Sequence, residues 1–304
     1  MDIFGGMFTH EFIRNALLAS TAIALAAGLA GYFLVLRGQV FAADALSHVA
    51  FTGGVAALAF GVNELLGLLV ATVFAAVILN FLSVASRAGD IEIGVLFALI
   101  LGLGVLFLSI YVSGHATSNS RGGVGVLFGS VFGISAGQAR TAVVVSIGAA
   151  TCLLAIARPL LYASVDAAAA AAQGIRVGAL GAAFLVVVAV IASEAVQVSG
   201  ALLILGLMAA PAAVARNLTT RPYAGLALSA GVALTATWAG LALSYAVPTL
   251  PPSFAMMAVL FGLYLLSAGR ATMSGARRST WTSSTPTGRP QPGQLIPNEP
   301  SESS

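Results

Sequence analysis

Two side chains that could bind a metal ion stand four residues apart near the start of an apolar segment. Asp44 and His48 lie in the stretch FAADALSHVAFTGG, and residues four apart share one face of a helix. A carboxylate oxygen together with an imidazole nitrogen suits zinc, manganese or iron(II). In the structural alternative, Asp44 caps a helix and His48 hydrogen-bonds between helices. Because Asp-x-x-x-His is a common pattern, the spacing alone leaves both interpretations open.

Other ionisable residues are weaker candidates, although any such residue within a membrane span is costly enough to suggest a function. Glu64 begins an apolar run, and we expect it to cap a helix there. Glu194 falls between two apolar runs, where a short turn and a solvated carboxylate at the membrane interface are expected, with lining of an entrance as the alternative. The remaining candidates are expected to be polar residues of turns, loops and the N-terminal segment: Asp90, Glu92 and Arg87, and His10 and His115.

The segment YASVDAAAAAAQGIR (162–176) has the start and stop signals of a short helix. Ser164 and Asp166 are residue types that cap helix N-termini, and Gly174 is typical of a helix end. Arg176 follows it. The segment lies between two predicted spans on the arginine-rich side. It predicts either an ordinary interfacial loop or, in a transporter driven by a cytoplasmic motor, the place where force enters.

The composition places these residues in a lipid environment. Of 304 residues, 59% are hydrophobic and only 8% are charged, with a mean hydropathy of +1.01, far from the composition of soluble domains. Apolar runs long enough to cross a bilayer as helices predict an all-α bundle of eight or nine spans, with an interfacial or re-entrant segment at 123–136. The predicted spans are 12–36, 45–62, 64–85, 91–113, 139–157, 176–193, 197–215, 223–246 and 253–268.

Arginine positions predict the orientation, because cytoplasmic loops are enriched in basic residues. The richer side would carry Arg37, Arg87, Arg158, Arg176, Arg216, Arg221, Arg270, Arg277 and Arg278, and the other side Arg14, Arg121 and Arg140. With nine spans, the N-terminus is then outside and the tail inside. From residue 271 the sequence turns to Ser, Thr, Pro and Gly, which predicts a membrane domain over 1–270 and a disordered cytoplasmic tail over 271–304.

Several function classes are disfavoured by the residues present. All 13 basic residues are arginines scattered among apolar runs, which argues against nucleic-acid binding. A phosphate-binding loop of the GxxxxGK[ST] type requires a lysine, and the chain has none, so ATP would have to be hydrolysed by a partner. No arrangement of catalytic side chains is evident, so we do not expect an enzyme. The lone Cys152 excludes a disulfide framework or a multi-cysteine metal cage.

Four stretches together resemble the ABC-3 family, the permeases of zinc, manganese and iron ABC importers. The stretches are GYFLVLRGQVFAADALSH (31–48), IEIGVLFAL (91–99), VLFGSVFGIS (126–135) and VSGALLILGLMAAPAAVAR (198–216), and the resemblance extends over residues 11–268. Ala43 stands where the family usually has Gly, and Thr52-Gly53 where many relatives have Pro-Gly or Leu-Gly. These departures weaken any inference about which metal is carried.

The resemblance implies a permease in the cell membrane that acts as a homodimer. Two cytoplasmic ATPase subunits would supply the energy, and an extracytoplasmic metal-binding protein would deliver the cargo. Asp44 and His48 would be the metal contacts, and 163–175, with Arg176 behind it, would be the ATPase-coupling helix. The expected cargo is zinc, then manganese or iron, with no permanently bound cofactor.

Two expectations remain open against alternatives. Hydropathy places Asp44 near the cytoplasmic end of its span, whereas a metal site is expected nearer the midplane, so either this span starts earlier than 45 or the helices there are broken. The alternatives in function are a secondary transporter driven by an ion gradient, for which buried carboxylates would speak, and an ABC permease for a metal chelate, which needs a wider path.

Overall fold

The computed structural model describes residues 10–85, 90–114, 131–247 and 249–282. Within these ranges the chain is helical and contains no strand, so the predicted all-α fold is confirmed. A short 3₁₀ turn at Val131–Gly133 precedes the fifth helix. The helices are α1 (Glu11–Leu36), α2 (Val40–Ala59), α3 (Glu64–Ala85), α4 (Asp90–Gly114), α5 (Ala136–Val165), α6 (Ala167–Ala172), α7 (Val177–Ser199), α8 (Ala201–Leu218), α9 (Pro222–Ala246) and α10 (Pro252–Thr282).

Nine of these helices account for the predicted spans. Seven of them, α1, α2, α3, α5, α7, α9 and α10, contain apolar segments long enough to cross a membrane. Helices α4 and α8 contribute shorter apolar segments, Phe97–Ser113 and Leu203–Leu218. The total agrees with the prediction of eight or nine spans, and the chain is a multi-pass membrane protein.

Glycines in the left-handed conformation end three helices in the same way. Gly38, Gly61 and Gly174 have φ values of 66°, 71° and 84°. After each one, the next backbone N–H returns to a carbonyl in the last turn of the helix, as from Gln39 N to Leu34 O at 2.8 Å. This Schellman arrangement satisfies carbonyls that a helix end leaves unpaired. It lets α2 follow α1 almost at once.

Helix α1 lies at the centre of the bundle and packs against α5, α7, α8 and α9. Its small residues allow close approach, since a side chain at Gly31 would collide with the backbone of Met208 on α8. At Gly28 the carbonyl oxygen accepts a hydrogen bond from Ser229 Oγ of α9 at 2.7 Å. In lipid, where packing rather than the hydrophobic effect drives association, such small residues bring helices together.

Two helix boundaries differ from the sequence-based expectation. The second span begins at Val40 instead of residue 45, because the turn at Gly38 needs only three residues. The fifth begins at Ala136, where Ser135 and Gln138 form a capping box, and runs through Pro159 to Val165 instead of ending at 157. The helix continues past the proline because one lost backbone hydrogen bond is tolerated within packed membrane helices.

Parts of two further predictions fall outside the described residues. Helix α10 continues to Thr282, beyond the expected domain boundary at residue 270. The rest of the predicted tail, 283–304, lies outside the described residues, so its disorder stays a prediction. The same holds for 123–130, the larger part of the predicted interfacial segment.

Candidate metal site

Asp44 and His48 lie one helical turn apart on α2 and face the same side. His48 Nε2 is 3.9 Å from Asp44 Oδ1, and the two side chains are 23% (Asp44) and 17% (His48) exposed. The early start of α2 puts Asp44 in its second turn, which resolves the difficulty over its depth, and His48 in its third. The spacing prediction that the two groups share a helix face is confirmed.

Packing orients the His48 ring without occupying the donor atoms of the pair. The ring stands edge-on to Phe97 of α4, with centroids 5.0 Å apart and an interplanar angle of 89°. Ser47, between the two candidates in sequence, is buried, and its hydroxyl donates to the Asp44 carbonyl at 2.7 Å. Ser47 is therefore already engaged with the backbone, and the Asp44 carboxylate and the His48 imidazole are the groups that can receive a ligand.

One chain supplies only part of a metal coordination sphere. Within the described ranges, no three residues among His, Cys, Asp and Glu are grouped so as to hold a metal ion. A carboxylate oxygen and an imidazole nitrogen leave at least two positions of a tetrahedral site to water or to another chain. Such a site binds an ion weakly enough to release it, as conduction requires.

The helices around α2 fix the position of the pair. α2 packs against α3, α4, α7 and α8. Gly53 and Gly67 bring the backbones of α2 and α3 together, since a Cβ on Gly53 would stand 2.5 Å from Gly67 O. On the α4 side, Thr52 Oγ1 donates to the carbonyl of Ile100 at 3.1 Å. The pair is therefore carried by a helix that is held on several sides.

Glu194 is not the solvated turn residue that the sequence predicted. It lies inside α7, fully buried, and neither carboxylate oxygen has a hydrogen-bond partner among the described residues. The turn comes only at Gly200, whose φ is 81°. One turn after Glu194, the Gln197 side-chain oxygen is also buried without a partner. The prediction failed because polar residues interrupting an apolar run were taken as its end, although the run continues to the glycine.

We expect Glu194→Met to raise stability. A buried polar group without a partner costs about 1–3 kcal/mol, and methionine fills a similar volume without that cost. Thermal unfolding of the purified protein in detergent measures the change. As a control, Glu11→Met replaces an exposed carboxylate, where we expect a change within about 0.5 kcal/mol. A marked loss of stability in Glu194→Met would mean that this carboxyl has a stabilising partner.

The predicted coupling segment forms the short helix α6 between α5 and α7. The side chain of Asp166 caps it and accepts a hydrogen bond from Ala169 N at 2.9 Å, and Gly174 ends it. Ser164 instead belongs to the last turn of α5, where its hydroxyl bonds to Leu160 O, so only Asp166 caps this helix. The side chain of Arg176 is exposed and makes no capping hydrogen bond.

The weaker candidates fall into two groups. His10 is exposed beside the Phe12 ring, and Glu64, partly buried, is the first residue of α3 as expected. The predicted contacts of Asp90 and Glu92 with Arg87, and the position of His115, lie outside the described side chains.

Arg37 contributes more than the topological marker that the sequence suggested. Its guanidinium lies 5.7 Å from the Phe184 ring centroid and donates through Nε to Gln39 at 3.1 Å, while Nη1 is buried without a partner. Burial lowers the pKa of Arg37 from its ordinary value. A Leu-Arg-Gly turn directly before the Asp44–His48 helix was the available signal, but it could not indicate a cation over the ring of a distant helix.

Comparison with known proteins agrees with this architecture. The chain is 26% identical over 247 residues to the manganese import system permease protein ScaB of Streptococcus parasanguinis, covering 81% of this chain and 86% of that protein. It is 28% identical over 248 residues to the manganese transport system membrane protein MntC of Halalkalibacterium halodurans, covering 78% of this chain and 80% of MntC.

The fold is also that of a solved transporter. The structure of PsaBC from Streptococcus pneumoniae in complex with Fab superposes with a TM-score of 0.77 at 23% identity, covering 88% of this chain and 94% of the matched chain. The sequence matches the ABC 3 transport family over residues 9–270, which include every predicted span and the Asp44–His48 pair. The chain therefore belongs to the ABC 3 transport family.

Proposed function

We propose that this chain is the permease subunit of an ATP-driven importer and that it carries a divalent transition metal ion past Asp44 and His48. The observation that carries the proposal is the geometry of this pair. Two potential ligands face the same side of α2, are partly exposed, and make no side-chain hydrogen bond to another described residue. In a nearly charge-free bundle, ionisable groups placed in this way are expected to serve transport.

Manganese is the cargo that the relatives favour. The sequence gave zinc a slight preference, but ScaB and MntC are both named for manganese. An oxygen and a nitrogen donor suit Mn²⁺ as well as Zn²⁺, whereas thiolates would favour the softer metals. The single cysteine, Cys152, lies exposed on α5 and is not part of the pair. Zinc and iron(II) are the next candidates.

A second copy of the chain would complete the site. Two copies facing each other along a shared path would provide two carboxylates and two imidazoles, enough for four-coordinate binding. Because each copy provides only two ligands, separation of the copies would leave the ion half-coordinated and release it. Cargo would arrive from an extracytoplasmic metal-binding protein and is a substrate, with no resident cofactor required.

Helix α6 would transmit work from two cytoplasmic ATPase subunits. α6 contacts α5 and α7, and α7 packs directly against α2. A displacement of α6 would thus reach the metal-binding helix through a single intermediate helix. The residues proposed for this coupling are Asp166 and Gly174, which define the ends of α6, with Ser164 and Arg176 flanking it.

One observation favours a different energy source. Glu194 is a fully buried carboxyl group inside a span, and intramembrane carboxyl groups mark proton and ion pathways in secondary transporters. Such a protein would take up metal in response to an ion gradient without ATP. The experiment below distinguishes the two energy sources.

In proteoliposomes containing this chain and the ATPase that co-purifies with it, we expect Mn²⁺ uptake to require ATP and to be reduced by Asp166→Ala. The alanine removes the cap of a six-residue helix, which costs about 0.5–2 kcal/mol of helix stability. We therefore expect uptake per ATP hydrolysed to fall about two- to tenfold. ⁵⁴Mn accumulation and phosphate release, measured in the same vesicles, give this ratio.

Asp166→Ser is the matched control. Serine also caps helix N-termini, so this variant should retain the wild-type ratio. Equal ratios in the alanine and serine variants would contradict a coupling role for the capped helix. Uptake driven by a proton gradient in vesicles without ATP would contradict the importer and support the secondary transporter.

A further inference from the structure

Two adjoining cavities form a groove between α1 and α5 at the end of the bundle where both helices begin. The first cavity, of about 330 Å³, has a polar lining that includes Glu11, Arg14, Asn15 and Arg140. The second, of about 410 Å³, is almost entirely apolar and extends along the helices as far as Trp238 of α9. Arg14, Leu18 and Val143 line both cavities. We call the combined feature the α1–α5 groove.

The polar end of the groove has an excess of positive charge. Arg14 and Arg140 are both exposed, and across the described ranges neither guanidinium lies within 4.0 Å of a carboxylate. Glu11 lines the same cavity, so the charge there is one positive unit. Guanidinium groups bind phosphate through paired, charge-assisted hydrogen bonds. This end therefore suits a phosphodiester with a single negative charge.

The rest of the groove suits a hydrocarbon chain. Leu18, Leu25, Ile147 and Trp238 are apolar side chains left exposed along it. The indole N–H of Trp238 donates to Thr21 Oγ1 at 2.9 Å, which fixes the ring and leaves it no free donor. The indole is then a flat apolar wall. An arginine-lined mouth that continues into an apolar channel of this volume matches the two halves of a phospholipid.

We propose that the α1–α5 groove binds one anionic glycerophospholipid from the leaflet that meets the beginnings of α1 and α5. The phosphate lies between Arg14 and Arg140, and hydroxyl groups of the headgroup donate to Glu11 and to the amide oxygen of Asn15. One acyl chain follows the apolar part of the groove to Trp238. The proposal does not depend on which metal the chain carries or on its energy source.

Trp238 provides a direct test because Trp281 is the only other tryptophan in the chain. The full-length W281F protein is reconstituted in phosphatidylcholine vesicles that contain phosphatidylglycerol or further phosphatidylcholine with brominated acyl chains. We expect brominated phosphatidylglycerol to quench Trp238 at about one tenth of the mole fraction needed for brominated phosphatidylcholine, since each arginine near the surface favours anionic lipid. Adding R14Q and R140Q should make the two lipids equivalent.

R221Q is the matched control, since Arg221 is an exposed arginine at the start of α9 and lines neither cavity. This variant should keep the preference for phosphatidylglycerol. Equal quenching by both lipids in the W281F protein would overturn the proposal, and this comparison decides even if the double arginine variant does not assemble. A preference that survives R14Q and R140Q would also overturn it. So would a preference abolished by inorganic phosphate, which would indicate a site for a free anion, or no quenching by either lipid, which would indicate that a second protein covers the groove.

Discussion

Replacing Asp44 or His48 by alanine is expected to reduce metal uptake by at least about 100-fold. Even substitutions of residues that merely support metal ligands cost about 10–100-fold in affinity or activity, and here each copy supplies only two ligands. Removing one of them from both copies of a homodimer would leave two ligands in place of four. The remaining pair would not compete with water for the ion while it crosses the bilayer.

Uptake of ⁵⁴Mn into ATP-loaded vesicles measures the effect, with assembly of the permease and the ATPase followed by size-exclusion chromatography. Both variants should assemble, because the two side chains are partly exposed and carry no packing contact that the bundle needs. His10→Ala, which removes an exposed histidine at the start of α1, should transport normally. Normal uptake by both Asp44→Ala and His48→Ala would eliminate the pair as the metal pathway.

The metal-binding pair could be predicted from the sequence because it depends on local geometry. A spacing of four residues on a helix fixes the common face of Asp44 and His48 whatever surrounds the helix. The cap of α6 was predictable for the same reason, since Asp166 and Gly174 act on their own backbone. The number of long helices followed from hydropathy, which reports the length of an apolar run without regard to its neighbours.

Properties that depend on other helices could not be predicted in this way. The burial of Glu194 depends on the helices packed around α7, and a single glutamate between two apolar runs reads equally well as the start of a turn. The Phe97 ring that orients His48 is far from it in sequence, and so is the Phe184 ring beneath Arg37. The α1–α5 groove brings together Arg14 and Arg140, which only the packed bundle makes neighbours.

Glycine content was visible in the sequence, but which glycines lie at helix contacts was not. Gly53 of α2 and Gly67 of α3 face each other so closely that a Cβ on Gly53 would stand 2.5 Å from Gly67 O. Gly231 of α9, in contrast, has no atom within 4 Å of the position where its Cβ would be. Both glycines lie inside helices, so the same substitution at the two sites separates helix propensity from packing.

We therefore expect Gly53→Ala and Gly231→Ala to change stability in opposite directions. Alanine at Gly231 should stabilise the protein by about 0.5–1 kcal/mol through helix propensity. Alanine at Gly53 should destabilise it by about 3 kcal/mol, because the methyl group meets a backbone oxygen that cannot rotate away and must push α2 from α3. Thermal unfolding in detergent compares the two variants.

The same displacement should reach the metal site, since α2 carries Asp44 and His48. We expect Gly53→Ala to lose most Mn²⁺ uptake although both ligands are retained, and Gly67→Ala, which places a methyl group on the other side of the same contact, to do so too. Gly231→Ala should transport as the unmodified protein does. If Gly53→Ala were as stable and as active as Gly231→Ala, the close contact of α2 with α3 would not be what positions the pair.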